Sequence, residues 1–197
     1  MTKQILTEYI NLSYNKDDIK EAIERGNGTV LVKAILQRAN HKNQNGRIYP
    51  REVLETEVEK YISEYVRERR ALGELDHTSS DTINLKNVSH NIKDIIWEGD
   101  DVVGVIEILD TPSGRIAKEL LKAGINVGIS SRGLGSVTKV DNDTVKVDPG
   151  YTLLGWDLVS TPSTQGAFLH EGKSETNLKD QVLNELIYDF FSQVGNN

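Results

Sequence analysis

The residues of this chain that could do chemistry gather in the stretch 124–137, where two adjacent hydroxyls, Ser130 and Ser131, are followed at once by a cation, Arg132, and two glycines, Gly133 and Gly135. A serine hydroxyl is a weak nucleophile. Acyl transfer through it needs a base to take its proton and donors or a cation beside the oxyanion that forms. Ile125, Val127 and Ile129 lead into the serines as a β-type run, and the glycines permit the backbone of a turn after them. Strand, serine, cation and turn are the parts of a nucleophile site. They are equally the parts of an ordinary strand and turn, so the reading depends on what else the chain supplies.

It supplies a base and an acid. His77 closes the segment Ala71-Leu72-Gly73-Glu74-Leu75-Asp76-His77 just before a Thr-Ser-Ser-Asp loop, and Asp157 lies inside the apolar run 151–160. His77, Ser130 and Asp157 are base, nucleophile and orienting acid from three separate elements, although residue types alone do not bring them together. The other histidines fall in a loop (His41), a strand (His90) and a linker (His170), with no metal-ligand spacing, and there is no cysteine. No metal site and no cofactor are expected. Gly133 and Gly135 lack both the phosphate-loop ending and the dinucleotide fingerprint. The pairs Asp100/Asp101 and Asp141/Asp143 read as turn aspartates.

A length of 197 residues allows one well-cored domain with tails. Hydrophobic and charged fractions of 37% and 27% are those of a soluble globular protein, and a net charge of −7 argues against a nucleic-acid binder. No apolar run reaches the roughly 20 residues of a membrane span, and residues 1–10 lack the features of a signal peptide, so a cytoplasmic protein is expected.

The elements that must hold these groups follow from periodicity. A short helix is expected from Asp17 to Arg25, and alternation of Val30, Val32, Ala34 and Leu36 predicts a strand. Asn45-Gly46 marks a turn, and Pro50 opens a helix whose stripe is Leu54, Val58, Tyr61, Ile62, Tyr65 and Val66. Strands over 88–97 and 101–109 meet at Glu98-Gly99-Asp100, and a second helix from Pro112 buries Ile116, Leu120 and Leu121 and ends at Gly124. A hairpin spans 134–147 and a last strand 151–160. Beyond a polar linker, 170–177, a helix carries Leu178, Val182, Leu183, Leu186, Ile187, Phe190 and Val194 on one face, suited to packing or docking.

Four stretches carry a resemblance: Asn45-Gly46-Arg47-Ile48-Tyr49-Pro50, the 71–77 segment, Gly128-Ile129-Ser130-Ser131-Arg132-Gly133-Leu134-Gly135-Ser136, and Trp156-Asp157-Leu158-Val159-Ser160-Thr161-Pro162-Ser163. In this order they resemble the prohead maturation serine proteases of large tailed phages, themselves similar to the herpesvirus protease assemblin. The resemblance implies an α+β fold with a β-barrel core flanked by helices. It divides the chain into an N-terminal segment 1–27, a protease domain 28–169 and a C-terminal segment 170–197, either end of which is removable. It implies that His77 is the base, Ser130 the nucleophile and Asp157 the third member, with Ser131 the rival nucleophile on the opposite strand face. Arg132 and the N–H groups around Gly133 are the expected oxyanion donors, an inference from adjacency.

The resemblance further implies cleavage after glutamate with leucine or isoleucine two residues before it. In this chain Glu8, Glu171 and Glu185 become self-cleavage candidates, while Glu74 matches the pattern but is expected to be shielded by the fold. The implied partners are the scaffold or core and major capsid proteins of the prohead and further copies of the chain, with no nucleic acid and no membrane. The implied setting is the host cytoplasm, inside the assembling prohead. The alternatives are a non-catalytic scaffold or shell component of the same fold, and a hydrolase of small esters.

Overall fold

A computed structural model describes residues 3–11, 30–77 and 80–160. The helix expected from Asp17 to Arg25, the C-terminal linker and helix, His170, Glu171 and Glu185 lie outside the described residues.

The described chain runs through β1 (Gln4–Asn11), β2 (Val30–Arg38), β3 (Arg47–Ile48), α1 (Arg51–Tyr61), β4 (Leu72–Glu74), β5 (Val88–Glu98), β6 (Asp101–Ile108), α2 (Pro112–Lys122), β7 (Gly128–Gly135), β8 (Val137–Lys139), β9 (Val145–Val147) and β10 (Thr152–Val159). The apolar alternation of β2 is borne out, with Val30, Val32, Ala34 and Leu36 all buried. So is the β5–β6 hairpin, which turns through Gly99 at φ +61°. In α1 the stripe Leu54, Val58 and Tyr61 is buried, and a π-helical turn, Ile62–Val66, carries it on to Val66.

Three departures are instructive. In α2 the buried face is Gly114, Ala117 and Leu121, whereas Ile116 is 54% exposed. Small residues let this helix approach a strand closely; a Cβ on Gly114 would collide with the carbonyl oxygens of Leu109 and Ser89. The strand expected from Ile125 begins at Gly128, and Ile125 is exposed. Residues 4–11, assigned from the sequence to a segment outside the protease domain, form a strand of its sheet with Leu6 and Glu8 buried.

The strands form three sheets, ordered β1-β7-β10, β2-β6-β5-β4 and β3-β9-β8. The first two nearly complete a ring. On one side β4 meets β10 through a bridge between Leu75 and Leu158; on the other, β1 and β2 are neighbours without a hydrogen-bonded ladder. The expected β-barrel core is therefore not a closed barrel among the described residues. It is a mixed α/β structure of open sheets with two helices, whose core includes Leu6, Ile92, Ile106, Ile129, Trp156 and Leu158. No helix among the described residues is long and apolar enough to cross a membrane.

Candidate active site

The seam between the first two sheets is where the chemistry-bearing residues meet. β7 is the central strand of its sheet, and Ser130 stands in register with Tyr9 of β1 and Asp157 of β10. Because opposite residues of a sheet share a face, this register puts the serine and aspartate side chains together. β4 then brings the histidine. Gly73 lies between the His90 ring and the Trp156 carbonyl, where any Cβ would collide with both, so β4 approaches β10 closely. Asp76 adopts φ +67° and its N–H donates to the Leu158 carbonyl at 2.7 Å, turning the chain so that His77 faces β10.

His77 joins the other two. Its Nδ1 is 2.9 Å from Asp157 Oδ2 and its Nε2 is 2.6 Å from Ser130 Oγ. An ionised carboxylate only accepts hydrogen bonds, so Nδ1 carries the proton and Nε2 accepts from the serine hydroxyl. Ser130 is 2% exposed and Asp157 fully buried, while the His77 side chain, 29% exposed, is the open member. Burial pushes the Asp157 carboxyl upward, but the His77 hydrogen bond, the Arg132 charge and the Glu74 N–H outweigh it and hold the group below the usual carboxylate range.

The residues expected in support take other places. Ser131 sits on the opposite, core face of β7, fully buried, in register with Glu8 and Trp156 and beside Tyr151. Gly133 is not in a turn: it lies within β7, paired with Leu6 and Leu153, and a Cβ there would strike the Tyr151 ring. Strands flank it on both sides, and the pairing with β10 is irregular there, between Leu153 and Gly155. Arg132 shares the Ser130 face, but its polar contacts lie elsewhere. Nη1 donates to the Ser80 carbonyl at 2.7 Å, Nη2 to Asp157 Oδ1 at 3.3 Å, and Nε lies 3.1 Å from Asp157 Oδ2. The guanidinium engages Asp157.

Sequence reasoning missed two buried groups here. Glu74 gives its N–H to Asp157 Oδ1 at 3.0 Å, and its side chain, 0% exposed, accepts from the Asn84 N–H. His90 donates from Nε2 to the Trp156 carbonyl at 3.1 Å and accepts at Nδ1 from the Ser89 hydroxyl, and burial holds its pKa down to about 4. The signal for Glu74 was its place in the 71–77 stretch and the expectation that the fold shields it. For His90 it was a polar residue in an apolar strand. Of the self-cleavage candidates, Glu8 lies in β1 with 3% exposure, and burial, only partly offset by Gln37, Asn43 and Arg47, raises its pKa to about 7. His41 is exposed, 3.8 Å from Asp100. Asp141 shapes its turn by accepting from the Asp143 N–H.

This geometry can be set beside known proteins. A family model described as prohead core protein serine protease matches residues 12–178. The prohead core protein protease of Enterobacteria phage T4 is 37% identical over 144 residues, covering 71% of this chain and 68% of that protein. The solved structure of the bacteriophage T4 capsid assembly protease aligns with a TM-score of 0.70 at 27% identity, covering 81% of this chain and 99% of that one. A family match over most of the chain and a relative of this identity agree with a hydroxyl, an imidazole and a carboxylate joined in line, and the chain belongs to the prohead core protein serine protease family.

Proposed function

We propose that this chain is a prohead maturation endopeptidase in which Ser130 is the nucleophile, His77 the general base and Asp157 the orienting acid. The observation that carries the reading is the single imidazole spanning Ser130 Oγ and Asp157 Oδ2 at 2.6 and 2.9 Å. Ser130 attacks the scissile carbonyl as its proton passes to His77 Nε2. Asp157 holds the ring in the right tautomer and stabilises the imidazolium; His77 then gives the proton to the leaving amine, and water, activated by the same base, releases the acyl group. Ser131, on the core face, is left out of the reaction.

The substrates follow from the T4 relatives, described as a prohead core protein protease and a capsid assembly protease. We assign core and major capsid proteins as substrates, cleaved after glutamate inside the assembling shell. The chain also trims itself after Glu8, Glu171 and Glu185, and it self-associates at the high local concentration of the prohead. The incomplete ring of seven strands is taken as the counterpart of the assemblin barrel.

The test follows intact mass over time for the full chain, Ser130→Ala and Ser131→Ala, with labelling by a fluorophosphonate. Wild type and Ser131→Ala should take one label and shorten to glutamate-ended products, while Ser130→Ala stays whole and unlabelled. Labelling lost only in Ser131→Ala would move the nucleophile. Three whole, unlabelled proteins would leave a non-catalytic shell component as the better reading.

A further inference from the structure

Two ionisable groups beside the serine, histidine and aspartate are shut away from water although that trio does not itself require them. The Arg132 side chain is 1% exposed and the Glu74 side chain 0%. Taking such charges out of water costs several kcal/mol each unless they are paired. Their contacts show what the pairing accomplishes. Glu74 Oε1 lies 3.5 Å from Arg132 Nη2 and accepts from the Asn84 N–H at 3.0 Å; Arg132 Nη1 donates to the Ser80 carbonyl at 2.7 Å. The chain leaving His77 is thus gripped at two later points, Ser80 by Arg132 and Asn84 by Glu74. At the same time the guanidinium and the Glu74 N–H both hold Asp157.

The charge count matters as much as the geometry. Around the His77–Asp157 pair, Glu74 comes from β4, Arg132 from β7, His90 from β5, Tyr61 from α1 and the exposed Asp76 from the histidine's own segment. Burial keeps His90 neutral, with a pKa of about 4, and burial likewise raises the Tyr61 phenol so that it stays neutral. The buried formal charges are therefore two carboxylates and one guanidinium. That cluster is short of one positive charge, and His77 supplies it when it takes the serine proton.

We propose that Glu74 and Arg132 are positioning residues for the reaction: a buried ion pair that orients Asp157, anchors the loop after His77, and leaves the site one negative charge in excess so that protonated His77 completes it. The inference rests on the serine protease reading of Ser130. Arg132 acts through Asp157, and Glu74 acts through Arg132 and by its charge. Neither touches Ser130 in the structure.

The test is the rate of Ser130 modification by a fluorophosphonate between pH 5 and 9, in the full chain, with thermal melting alongside. Glu74→Gln keeps the shape and removes the charge. It should lower the plateau rate about 10-fold and move the acid limb to lower pH by roughly one unit, because an imidazolium with less negative charge around it forms less readily. An acid limb left at the wild-type pH overturns the proposal even if the melting temperature falls, since that is what a merely structural role would give. Arg132→Lys keeps the charge and loses the planar fork that holds a carboxylate by two donors. It should retain the wild-type acid limb with a plateau lowered about 10-fold, whereas Arg132→Met should fall about 100-fold. Should Glu74→Gln fail to fold, Arg132→Lys decides: a plateau equal to wild type overturns the proposal, and a lowered plateau at unchanged probe affinity upholds it. A wild-type chain that takes no label refutes the protease reading instead, so the two failures are distinct.

Discussion

Glu8 and His90 pull the stability of the fold in opposite directions over nearly the same pH range. The Glu8 carboxyl is raised from 4.5 to about 7 by burial, so the native state binds a proton that the unfolded chain has released; this contribution is full below about pH 4.5 and is lost as pH rises through about 7. The His90 imidazole is lowered from 6.5 to about 4, so its contribution is full above about pH 6.5 and is lost as pH falls through about 4. Each displacement is worth about 3 kcal/mol, and the two nearly offset one another between pH 4.5 and 6.5. Glu8→Gln should remove one arm of this balance. Its urea midpoint should exceed that of wild type at pH 7.5 and fall more steeply than wild type toward pH 4.5; parallel profiles would refute the opposition. A third group acts only in stronger acid, where Asp157, held below the usual carboxylate range, adds to the loss. At this scale the types and order of His77, Ser130 and Asp157 were legible in the chain. Their meeting was not, because it depends on contacts that His77 makes with residues 80 and 53 positions away.

Among the elements, β7 and its two neighbours decide whether the serine is in place. Gly133 read as a turn residue because glycine is the usual punctuation of loops. In the fold it lies mid-strand for a different reason, since the Tyr151 ring occupies the space that any side chain would need. Gly133→Ala should push Tyr151 aside or bow β7, costing about 1–3 kcal/mol as overpacking does and slowing fluorophosphonate labelling of Ser130. Denaturant unfolding beside the labelling rate checks both; an unchanged stability would show that Tyr151 yields freely. The same confusion of size with role explains α2, where Ile116 was expected inside while the small residues Gly114 and Ala117 pack beside Leu121. β1 escaped detection because a buried acid, Glu8, interrupts the apolar alternation on which strand recognition rests. Where alternation was clean, as in β2, or turn chemistry was strong, as at Gly99, the sequence reading and the structure coincide.

For the whole molecule, the placement of Glu8 sets a constraint on self-processing. The bond after Glu8 lies in a strand paired along its length with β7, and a peptide bond in a ladder must leave the sheet before a nucleophile can reach it. The chain has no cysteine, so a single engineered pair can test this without side reactions. Ile5 and Leu134 stand directly opposite one another, and Ile5→Cys with Leu134→Cys should join β1 to β7 on oxidation. The oxidised protein should yield no end at Glu8 by mass spectrometry, and reduction should restore it. An end at Glu8 appearing equally in both states would mean that the bond is cut without β1 leaving.

The order in which the sheet's strands occur along the chain has a further consequence, for synthesis. Ser130 lies on a strand held between residues 4–11 and residues 152–159, so its two flanks are made first and last among the described elements. On the proposed mechanism, a ribosome that has released β7 has made the nucleophile Ser130 and the base His77 but not Asp157, the acid that aligns them. On that mechanism the growing polypeptide cannot cut itself or its neighbours until Asp157 and the rest of β10 have emerged.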